Sequence, residues 1–416
     1  MKYTPKSAAT AALLGLSSVS LFGAGFQLAE RSVTGLGRAF SGEAAIGDDA
    51  SVLASNPAGM ILLEDGALSV GLQYVKPDVD IKGVTPYGPA SDSSVAEEAL
   101  VPYFYYTRKI NDNLTVGLGM FSSFGLATDY SNSFASRAGT ETSEITTVTV
   151  NPSLAYRIND KWTIGAGIDF MYVDGRLTAR NTPGVNAGGP VGGTLFDLEG
   201  DDWGYGWNIG VLFEASDKTR IGLHYRSSID LEIEGHATGS LVESTGAAKR
   251  DASLSVELPD TVELSIYHEI NDQWAVHGDV LWTNWSKFEQ LAPIVHPGID
   301  PALLVQENWE DSYRYSIGAT YKHSDKVTFR FGVALDESPV ATADRTLRIP
   351  DADRLWVSVG ATIKLNDCYN LDLGYTHIFA DDADINSVMN GGNEGQFTGT
   401  ASGDVDIIGI GISGTF

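Results

Sequence analysis

Apolar and polar residues alternate with a period of two through most of this chain. The segment WTIGAGIDF at positions 162–170, for example, has an apolar residue at every second position, and similar segments occur at 114–120, 327–336 and 355–364. Successive side chains of a β-strand point to opposite faces, so each segment predicts a strand with one apolar and one polar face. Because the pattern continues almost to the C-terminus, it is typical of a barrel with lipid outside and a polar lumen inside.

Short turn signals divide these strands into pairs. Asparagine or serine followed by aspartate favours a tight turn, because the first side chain bonds to the local backbone. Six such turns, separated by two strands and one long loop each, leave seven hairpins. The sequence therefore predicts an all-β, 14-stranded antiparallel transmembrane β-barrel with both termini on the side of the short turns, which are Asn111-Asp112, Asn159-Asp160, Ser216-Asp217, Asn271-Asp272, Ser324-Asp325 and Asn366-Asp367.

The two ends of the chain suggest export to the outer membrane of a Gram-negative bacterium. Lys2 and Lys6 precede an apolar stretch and small residues, which predicts a signal peptide over residues 1–23, although Leu21 is not the small residue preferred near a cleavage site. The last strand ends on Phe416, an aromatic residue typical of outer-membrane assembly signals. We therefore expect the assembly machinery and the lipid of that membrane to be partners of the chain. No apolar run of about 20 residues follows the leader, which excludes a helical membrane protein.

Residues 24–66 lack the alternation and are rich in Gly, Ala, Ser and Asp. Such a segment is either a flexible periplasmic tail or a plug inside the lumen. A 14-stranded barrel encloses more space than its own side chains fill, which favours the plug. We therefore predict a hatch over residues 24–66 and the barrel over residues 67–416.

Composition limits the chemistry of the chain. The formal net charge of −27 opposes nucleic-acid binding, which needs Lys and Arg. The acidic residues lie largely in predicted loops, where they are either solvated or bridged to lipid by divalent ions. Cys368 is the only cysteine, so no internal disulfide forms. Nucleotide, zinc-protease and serine-hydrolase motifs are missing from the sequence, so we expect neither an enzyme nor a cofactor or metal site.

Distinctive short motifs are spread in order along the mature chain. The predicted hatch carries AGFQL at 24–28, GLGRAFSGE at 35–43 and the triplet Asn56, Pro57 and Ala58. The predicted barrel carries GLAT at 125–128, GYGWN at 204–208, YRS at 225–227, LP at 258–259, WTNWS at 282–286, SPV at 338–340 and IPD at 349–351. Together these motifs resemble those of the FadL-type outer-membrane transporters of long-chain fatty acids.

This resemblance implies a 14-stranded barrel with an N-terminal hatch and a passive route for hydrophobic molecules. Family members collect a ligand in an extracellular groove, pass it to an internal pocket and release it sideways through a kinked third strand. By resemblance, Asn56, Pro57 and Ala58 belong to the hatch, and the kink falls within residues 122–128. Gly125 is expected to allow this kink because glycine adopts backbone angles that other residues avoid.

The resemblance also implies ligand-binding residues. Phe26 matches a residue that lines the pocket, and Phe124 and Leu126 flank the kink. For a carboxylate, Arg180 lies near the position of a pocket arginine in the family. The chain has no lysine shortly before Arg314, where relatives have one, so Arg314 is the remaining candidate there. Either arginine could instead be a lumen charge paired with an acid.

The segment 288–306 is rich in apolar residues although it lies in a predicted extracellular loop. Leu291, Ile294, Val295 and Leu303 are among them. We interpret the segment as part of a collecting groove, the alternative being loops that pack on one another.

Four functions follow from these features. We predict a monomer that takes up long-chain fatty acids, and the alternative within the family is import of small aromatic or aliphatic hydrocarbons. Outside the family, a membrane lipid hydrolase would need a convergent Ser/His pair, and an adhesin or phage receptor would bind no fatty acid.

Overall fold

The computed structural model describes residues 25–183, 187–297, 304–387 and 397–416. The predicted signal peptide, residues 1–23, lies outside these ranges, as does the first residue of the predicted hatch. None of the described helices is both long enough and apolar enough to cross a membrane.

Fourteen antiparallel strands form the wall, and four of them are interrupted. Their bounds are β1 Gly66–Thr85, β2 Ala99–Asn111, β3 Leu114–Phe121 with Gly125–Asp129, β4 Thr142–Asn159, β5 Trp162–Arg180, β6 Thr194–Ser216, β7 Thr219–Arg226 with Ile229–Thr238, β8 Lys249–Leu258 with Thr261–Glu269, β9 Trp274–Thr283, β10 Ser312–Ser324, β11 Val327–Asp336, β12 Arg354–Lys364, β13 Tyr369–Ala380 with Ala383–Ser387, and β14 Phe397–Thr415.

Each strand pairs with the next along the chain, and the first strand pairs with the last. The β1–β14 ladder runs from Ala67 opposite Thr415 to Val84 opposite Thr398. This ladder closes the sheet into a barrel and leaves no edge strand. The predicted 14-stranded antiparallel barrel is confirmed.

The six predicted tight turns are confirmed, and the structure shows how each is held. The side-chain oxygen of the first turn residue accepts a bond from a backbone N–H two residues later. The oxygens belong to Asn111, Asn159, Ser216, Asn271, Ser324 and Asn366, at 2.9–3.4 Å from the donor nitrogens. Each tight turn is thus fixed by a bond between residues two positions apart, and the turn in turn fixes how its two strands pair.

Burial alternates along the strands as the sequence predicts. On β5, Ile164, Ile168 and Phe170 are exposed on the outer face, whereas Thr163 and Asp169 are buried on the inner face. The exposed apolar side chains lie where lipid would cover them. Polar side chains point into the interior of the barrel, as in other barrels of this type.

The N-terminal segment, residues 25–63, packs against the inner wall. It contains the short helices α1 (Val33–Leu36), α2 (Glu43–Ile46) and α3 (Val52–Ser55) and the 3-10 helix Pro57–Leu62. Inner-face glycines let its backbone approach the strands so closely that an ideal Cβ would overlap it, at Gly165, Gly222, Gly332 and Gly360. The predicted division between hatch and barrel at residue 66 stays a prediction, and β1 begins at Gly66.

The extracellular loops contain the remaining elements. These are the helix α4 (Ser240–Glu243), the 3-10 helix Trp285–Lys287 and the short strands Gly88–Asp92, Gln290–Leu291, Ile294–His296 and Val305–Gln306. The loop after β9 and the loop between β11 and β12 matter most, because both reach back into the barrel mouth.

Candidate functional site

An aromatic cage surrounds Phe26, which lies near the start of the N-terminal segment. Its ring centroid lies 4.8 Å from that of Trp285, 5.4 Å from Phe288, 5.7 Å from Trp309 and 6.0 Å from Phe124. Most of these pairs meet edge to face or tilted, which suits the ring quadrupoles. The cage therefore joins one residue of the N-terminal segment, the β3 break and the loop after β9 in a single apolar cluster.

A cavity that is open on part of its surface lies beside this cage. Its walls are mostly apolar and come from the six consecutive strands β3 to β8, from two extracellular loops and from Phe26. The apolar lining consists of Phe26, Leu126, Ile145, Leu177, Leu198, Ile233, Leu254, Val256, Phe288, Leu291 and Ile349. We name this cavity the apolar pocket. The structure thus places Phe26 and Leu126 in its wall and Phe124 in the adjoining cluster.

Two arginines line the apolar pocket, and they differ in their partners. Arg176 makes a two-pronged ion pair with Asp197, with N–O distances of 3.1 and 2.9 Å. Arg348 is buried and donates from Nη1 to the Ser143 hydroxyl at 3.0 Å. Within the described residues, no carboxylate lies within salt-bridge distance of Arg348. Its charge is therefore available to a ligand in the apolar pocket.

Burial shapes the electrostatics around Arg348. Desolvation lowers the pKa of its guanidinium to about 10, so the group stays charged at neutral pH. Its buried neighbour Glu307, which accepts a bond from Trp309 Nε1 at 3.1 Å, has its pKa raised by burial to about 8. Glu307 is thus mostly neutral at pH 7 and does not cancel the charge of Arg348.

The two arginines predicted as ligand-binding residues lie elsewhere. Arg180 Nε is 2.6 Å from both carboxylate oxygens of Glu141. Arg314 donates to the carbonyl of Ala39 at 3.0 Å and stacks over Trp356, with 4.7 Å from its Cζ to the ring centroid. Neither lines the apolar pocket. Both contacts are of the kind that the alternative, a paired charge, would make, and the ligand-binding role of Arg180 and Arg314 stays a prediction.

Arg348 was missed by the sequence reasoning, although a signal for it was present. It directly precedes the IPD motif at 349–351, and Ile349 lines the same pocket. Asp351 of that motif accepts a bond from the backbone N–H of Gly25 at 3.0 Å. The motif therefore ties the loop between β11 and β12 to the start of the N-terminal segment.

The interruption of β3 coincides with the place where the N-terminal segment meets the wall. The β2–β3 ladder ends at Phe104 opposite Met120. Beyond it, Leu28 N donates to Ser123 O at 2.8 Å and Gly125 N donates to Phe26 O at 2.9 Å. At residues 123–125, the partner of β3 is thus the N-terminal segment and not β2.

The expected backbone role of Gly125 is wrong in one respect. The described glycines with positive φ do not include it, whereas Gly25 has φ +65° beside the aromatic cage. Gly125 is a buried residue that starts the second half of β3. The interruption of β3 therefore coincides with the change of partner and involves no left-handed glycine at position 125, and its role as an exit stays a prediction.

The triplet Asn56, Pro57 and Ala58 fixes the N-terminal segment to β5 and β6. The Asn56 amide donates to the carbonyls of Ala44, at 2.8 Å, and Val211, at 3.0 Å, while its Oδ1 accepts from Ala58 N at 3.0 Å. The Asn56 side chain therefore uses both its amide donors and its carbonyl acceptor. An ideal Cβ at Gly210 would overlap Asn56 Oδ1.

Ion pairs hold the same segment to other strands. Arg38 contacts Glu43 at 2.7 Å and Asp48 at 3.0 Å, and Asp48 also contacts Arg330 of β11 at 3.0 Å. Such buried, multiply bonded charges are costly to break because each partner would be left unpaired. The described residues contain no group of three or more His, Cys, Asp and Glu arranged to hold a metal ion.

The apolar loop segment 288–306 contributes to more than one cluster. Phe288 and Leu291 belong to the cluster around Phe26, and Val305 packs against it. Val295 packs instead in a neighbouring cluster with Leu198. Leu303 lies outside the described residues. Part of the segment therefore forms the extracellular wall of the apolar pocket, and its role as a collecting groove stays a prediction.

Comparison with known sequences gives one family over almost the whole chain. Residues 15–416 match the family described as outer membrane protein transport protein (OMPP1/FadL/TodX). The chain is 34% identical to the long-chain fatty acid transport protein of Escherichia coli K12, over 91% of this chain and 93% of that protein. It is 31% identical to outer membrane protein P1 of Haemophilus influenzae, over 91% and 90% respectively.

Solved structures show the same fold at lower sequence identity. A Pseudomonas aeruginosa FadL homologue superposes with a TM-score of 0.83 at 21% identity, covering 94% of this chain and 99% of that one. The Pseudomonas putida toluene transporter TodX superposes with a TM-score of 0.73 at 20% identity, covering 95% and 99%. Both comparisons agree with the barrel described above.

Proposed function

Because the chain belongs to the OMPP1/FadL/TodX family of outer membrane transport proteins, we propose that it takes up long-chain fatty acids across the outer membrane by passive diffusion. The chain is an outer-membrane β-barrel, which is where such uptake must begin. The curated relatives at 34% identity are named as long-chain fatty acid transport proteins. The proposal assigns the same substrate class to this chain.

The observation that carries the proposal is the apolar pocket together with Arg348, which has no carboxylate within salt-bridge distance among the described residues. Burial of a methylene group contributes about 0.8 kcal/mol, so a long acyl chain gains far more from such walls than from a water-filled pore. Arg348 supplies a cation at the edge of these walls. An apolar chain that ends in a carboxylate fits both features.

The proposed route leaves the barrel through its wall. A ligand collected at the loops enters the apolar pocket, and the N-terminal segment around Phe26 then shifts from the β3 break. The tail passes between β2 and β3 at the β3 break, where the wall is bridged by bonds from Phe26 and Leu28, between the end of the β2–β3 ladder and the bridge from Ala96 to Thr128. Release into lipid needs no energy coupling, because the tail never returns to water.

A catalytic role is not part of this proposal. The described residues do include a serine–histidine pair, with Ser41 Oγ 2.7 Å from His277 Nδ1. However, the Ser41 hydroxyl also lies 2.7 Å from the carbonyl of Arg38, to which it donates, and His277 Nε2 lies 3.1 Å from Thr320. Both residues are buried where the N-terminal segment meets the wall, so the pair is satisfied as a packing contact.

Hydrocarbon import is the second candidate, and the resemblance in fold to TodX is its support. A neutral hydrocarbon would use the apolar walls and leave Arg348 without a partner, at the cost of a buried charge. Arg348 therefore favours a carboxylate ligand over a hydrocarbon.

The two candidates are separated by growth and uptake. A strain that lacks its own long-chain fatty acid transporter is complemented with this chain and supplied with oleate or toluene. We expect the chain to restore growth on oleate and uptake of labelled oleate. Restored toluene sensitivity with unchanged oleate uptake would contradict the fatty acid assignment.

We predict that Gly125→Val lowers the initial rate of oleate uptake severalfold while oleate binding is unchanged. The added branched side chain narrows the β3 break, but Gly125 does not line the apolar pocket. Uptake by complemented cells and binding by purified protein are measured in parallel.

The matched control is Gly278→Val, because an ideal Cβ there meets only Ser316 O at 3.4 Å and Ile266 Cγ2 at 3.9 Å. This variant is expected to behave as the wild type. Wild-type uptake by the Gly125→Val variant, at an equal amount of protein in the outer membrane, would rule out the β3 break as an exit.

A further inference from the structure

The wall has a second interruption, between β6 and β7. The β6–β7 ladder runs up to Asn208 opposite Arg226 and resumes at Asp201 opposite Glu234. Residues 202–207 of β6 and 227–233 of β7 lie between these pairs, all of them described, and they have no ladder register with one another. Strand β7 itself is broken between Arg226 and Ile229, at the start of this stretch.

Side chains replace part of the missing ladder. Trp207 N donates to the Ser227 hydroxyl at 2.9 Å, and Glu232 N donates to the Asp202 carboxylate at 2.7 Å. One backbone bond, from Ser227 N to Trp207 O at 2.9 Å, marks the lower edge of the gap. Exposed side-chain bonds of this kind are weaker constraints than a continuous ladder, because water can replace them.

Two apolar side chains close the gap from inside. Ile229 and Leu231 are buried, and an ideal Cβ at Gly204 would overlap both of them. They belong to the same apolar cluster as Phe26, Met171 and Val173. Two glycines, Gly204 and Gly206, thus leave space in β6 that is filled only by side chains of β7.

The gap lies between an interior cavity and the outer surface of the barrel. Inside, Ile229 and Ser227 border a small cavity whose other walls include Phe124 and Ser123 of the β3 break. Outside, Trp203, Tyr205 and Trp207 are at least half exposed along β6. Rows of exposed aromatic side chains are typical of the membrane–water interface of a barrel.

We propose that this gap is a second lateral passage, through which the acyl chain of the ligand moves between the apolar pocket and the membrane. The proposal rests on the proposed function of the chain. Movement of the Ile229 and Leu231 side chains opens the passage without displacing the N-terminal segment. A ligand already dissolved in the membrane then reaches the pocket without crossing water.

A reversible disulfide across the gap tests the passage. Gly204→Cys and Leu231→Cys are combined with Cys368→Ser and with Gly125→Val, so that the β3 break is narrowed. We expect the residual oleate uptake of this variant to fall to the level of the transporter-less strain when the disulfide forms, and to return on reduction. Loss of maleimide labelling confirms a complete cross-link.

A matched staple in an intact part of the wall is the control. Val333→Cys and Val357→Cys place cysteines directly opposite each other on β11 and β12. This staple is expected to leave uptake unchanged in both redox states. Equal uptake by the oxidised and reduced Gly204→Cys, Leu231→Cys variant would overturn the second passage.

A second measurement is independent of transport by cells. Wild-type protein in lipid bilayers is illuminated with a fatty acid that carries a diazirine in its tail, and the adducts are mapped. Adducts on the buried Ile229 and Leu231 support the passage, and adducts confined to Leu126 and other pocket residues contradict it. No uptake by wild-type cells would refute the proposed function, while the adducts still decide whether the passage exists.

Discussion

Replacing Arg348 with glutamine is expected to lower the affinity for oleate by about 10- to 100-fold, because a hydrogen bond to a charged group contributes about 1.5–3 kcal/mol. The neutral analogue oleyl alcohol should bind the wild type and Arg348→Gln with similar affinity. Binding is followed by the fluorescence of Trp285 and Trp309, which lie in the same cluster as the pocket walls. The control is Arg180→Gln, since Arg180 pairs with Glu141 away from the pocket.

The same site predicts a pH dependence. Glu307 has a pKa of about 8, so it is neutral at pH 7 and becomes an anion beside Arg348 as the pH rises. The anion then competes with the ligand carboxylate, and oleate affinity should fall above pH 8. Glu307→Gln should remove this fall.

An equal loss of oleate and oleyl alcohol binding in Arg348→Gln would show that Arg348 supports the pocket and does not bind the carboxylate.

The second large effect is expected at the contact between the N-terminal segment and the wall. Gly210→Val places a side chain where Asn56 Oδ1 now lies, so the Asn56 bonds to Ala44, Val211 and Ala58 are lost. Each buried polar group left without a partner costs about 1–3 kcal/mol. We expect the segment to detach and the cells to become severalfold more sensitive to a hydrophilic antibiotic that the intact outer membrane excludes.

The barrel itself should still assemble in the Gly210→Val variant, because the bonds between its strands are unchanged. Heat-dependent electrophoretic mobility reports this assembly. Asn56→Ala is expected to have a smaller effect of the same kind, and Gly278→Val should have none. An assembled Gly210→Val barrel with wild-type antibiotic sensitivity and oleate uptake would show that the segment does not act as a hatch.

The parts of the fold that the sequence predicts are those encoded by local interactions. Asn159 and Asn366 hold their turns through bonds to backbone only two residues away. Alternation along β5 needs only the two-residue period of a strand and one lipid-facing side. Strand number and membrane side follow from these two signals, since each tight turn adds one hairpin.

The binding site is less predictable because it is built from contacts distant in sequence. Arg348 reaches Ser143 from a loop more than two hundred residues away, and no local pattern specifies that contact. Arg180 and Arg314 were suggested by resemblance, yet Glu141 and Ala39 determine where they lie. The sequence does not reveal the β6–β7 gap either, because residues 204–208 have the pattern of an ordinary alternating strand.

The most direct test of the account is a crystal structure of the protein with a bromine-labelled long-chain fatty acid. The tail should lie in the apolar pocket against Leu126, Ile233 and Phe288, with the carboxylate at Arg348. Anomalous scattering from bromine locates the tail independently of the protein atoms. A ligand found only in the separate cavity that Arg314, Glu30 and Glu263 line, or no bromine signal at saturating fatty acid, would contradict the central claim.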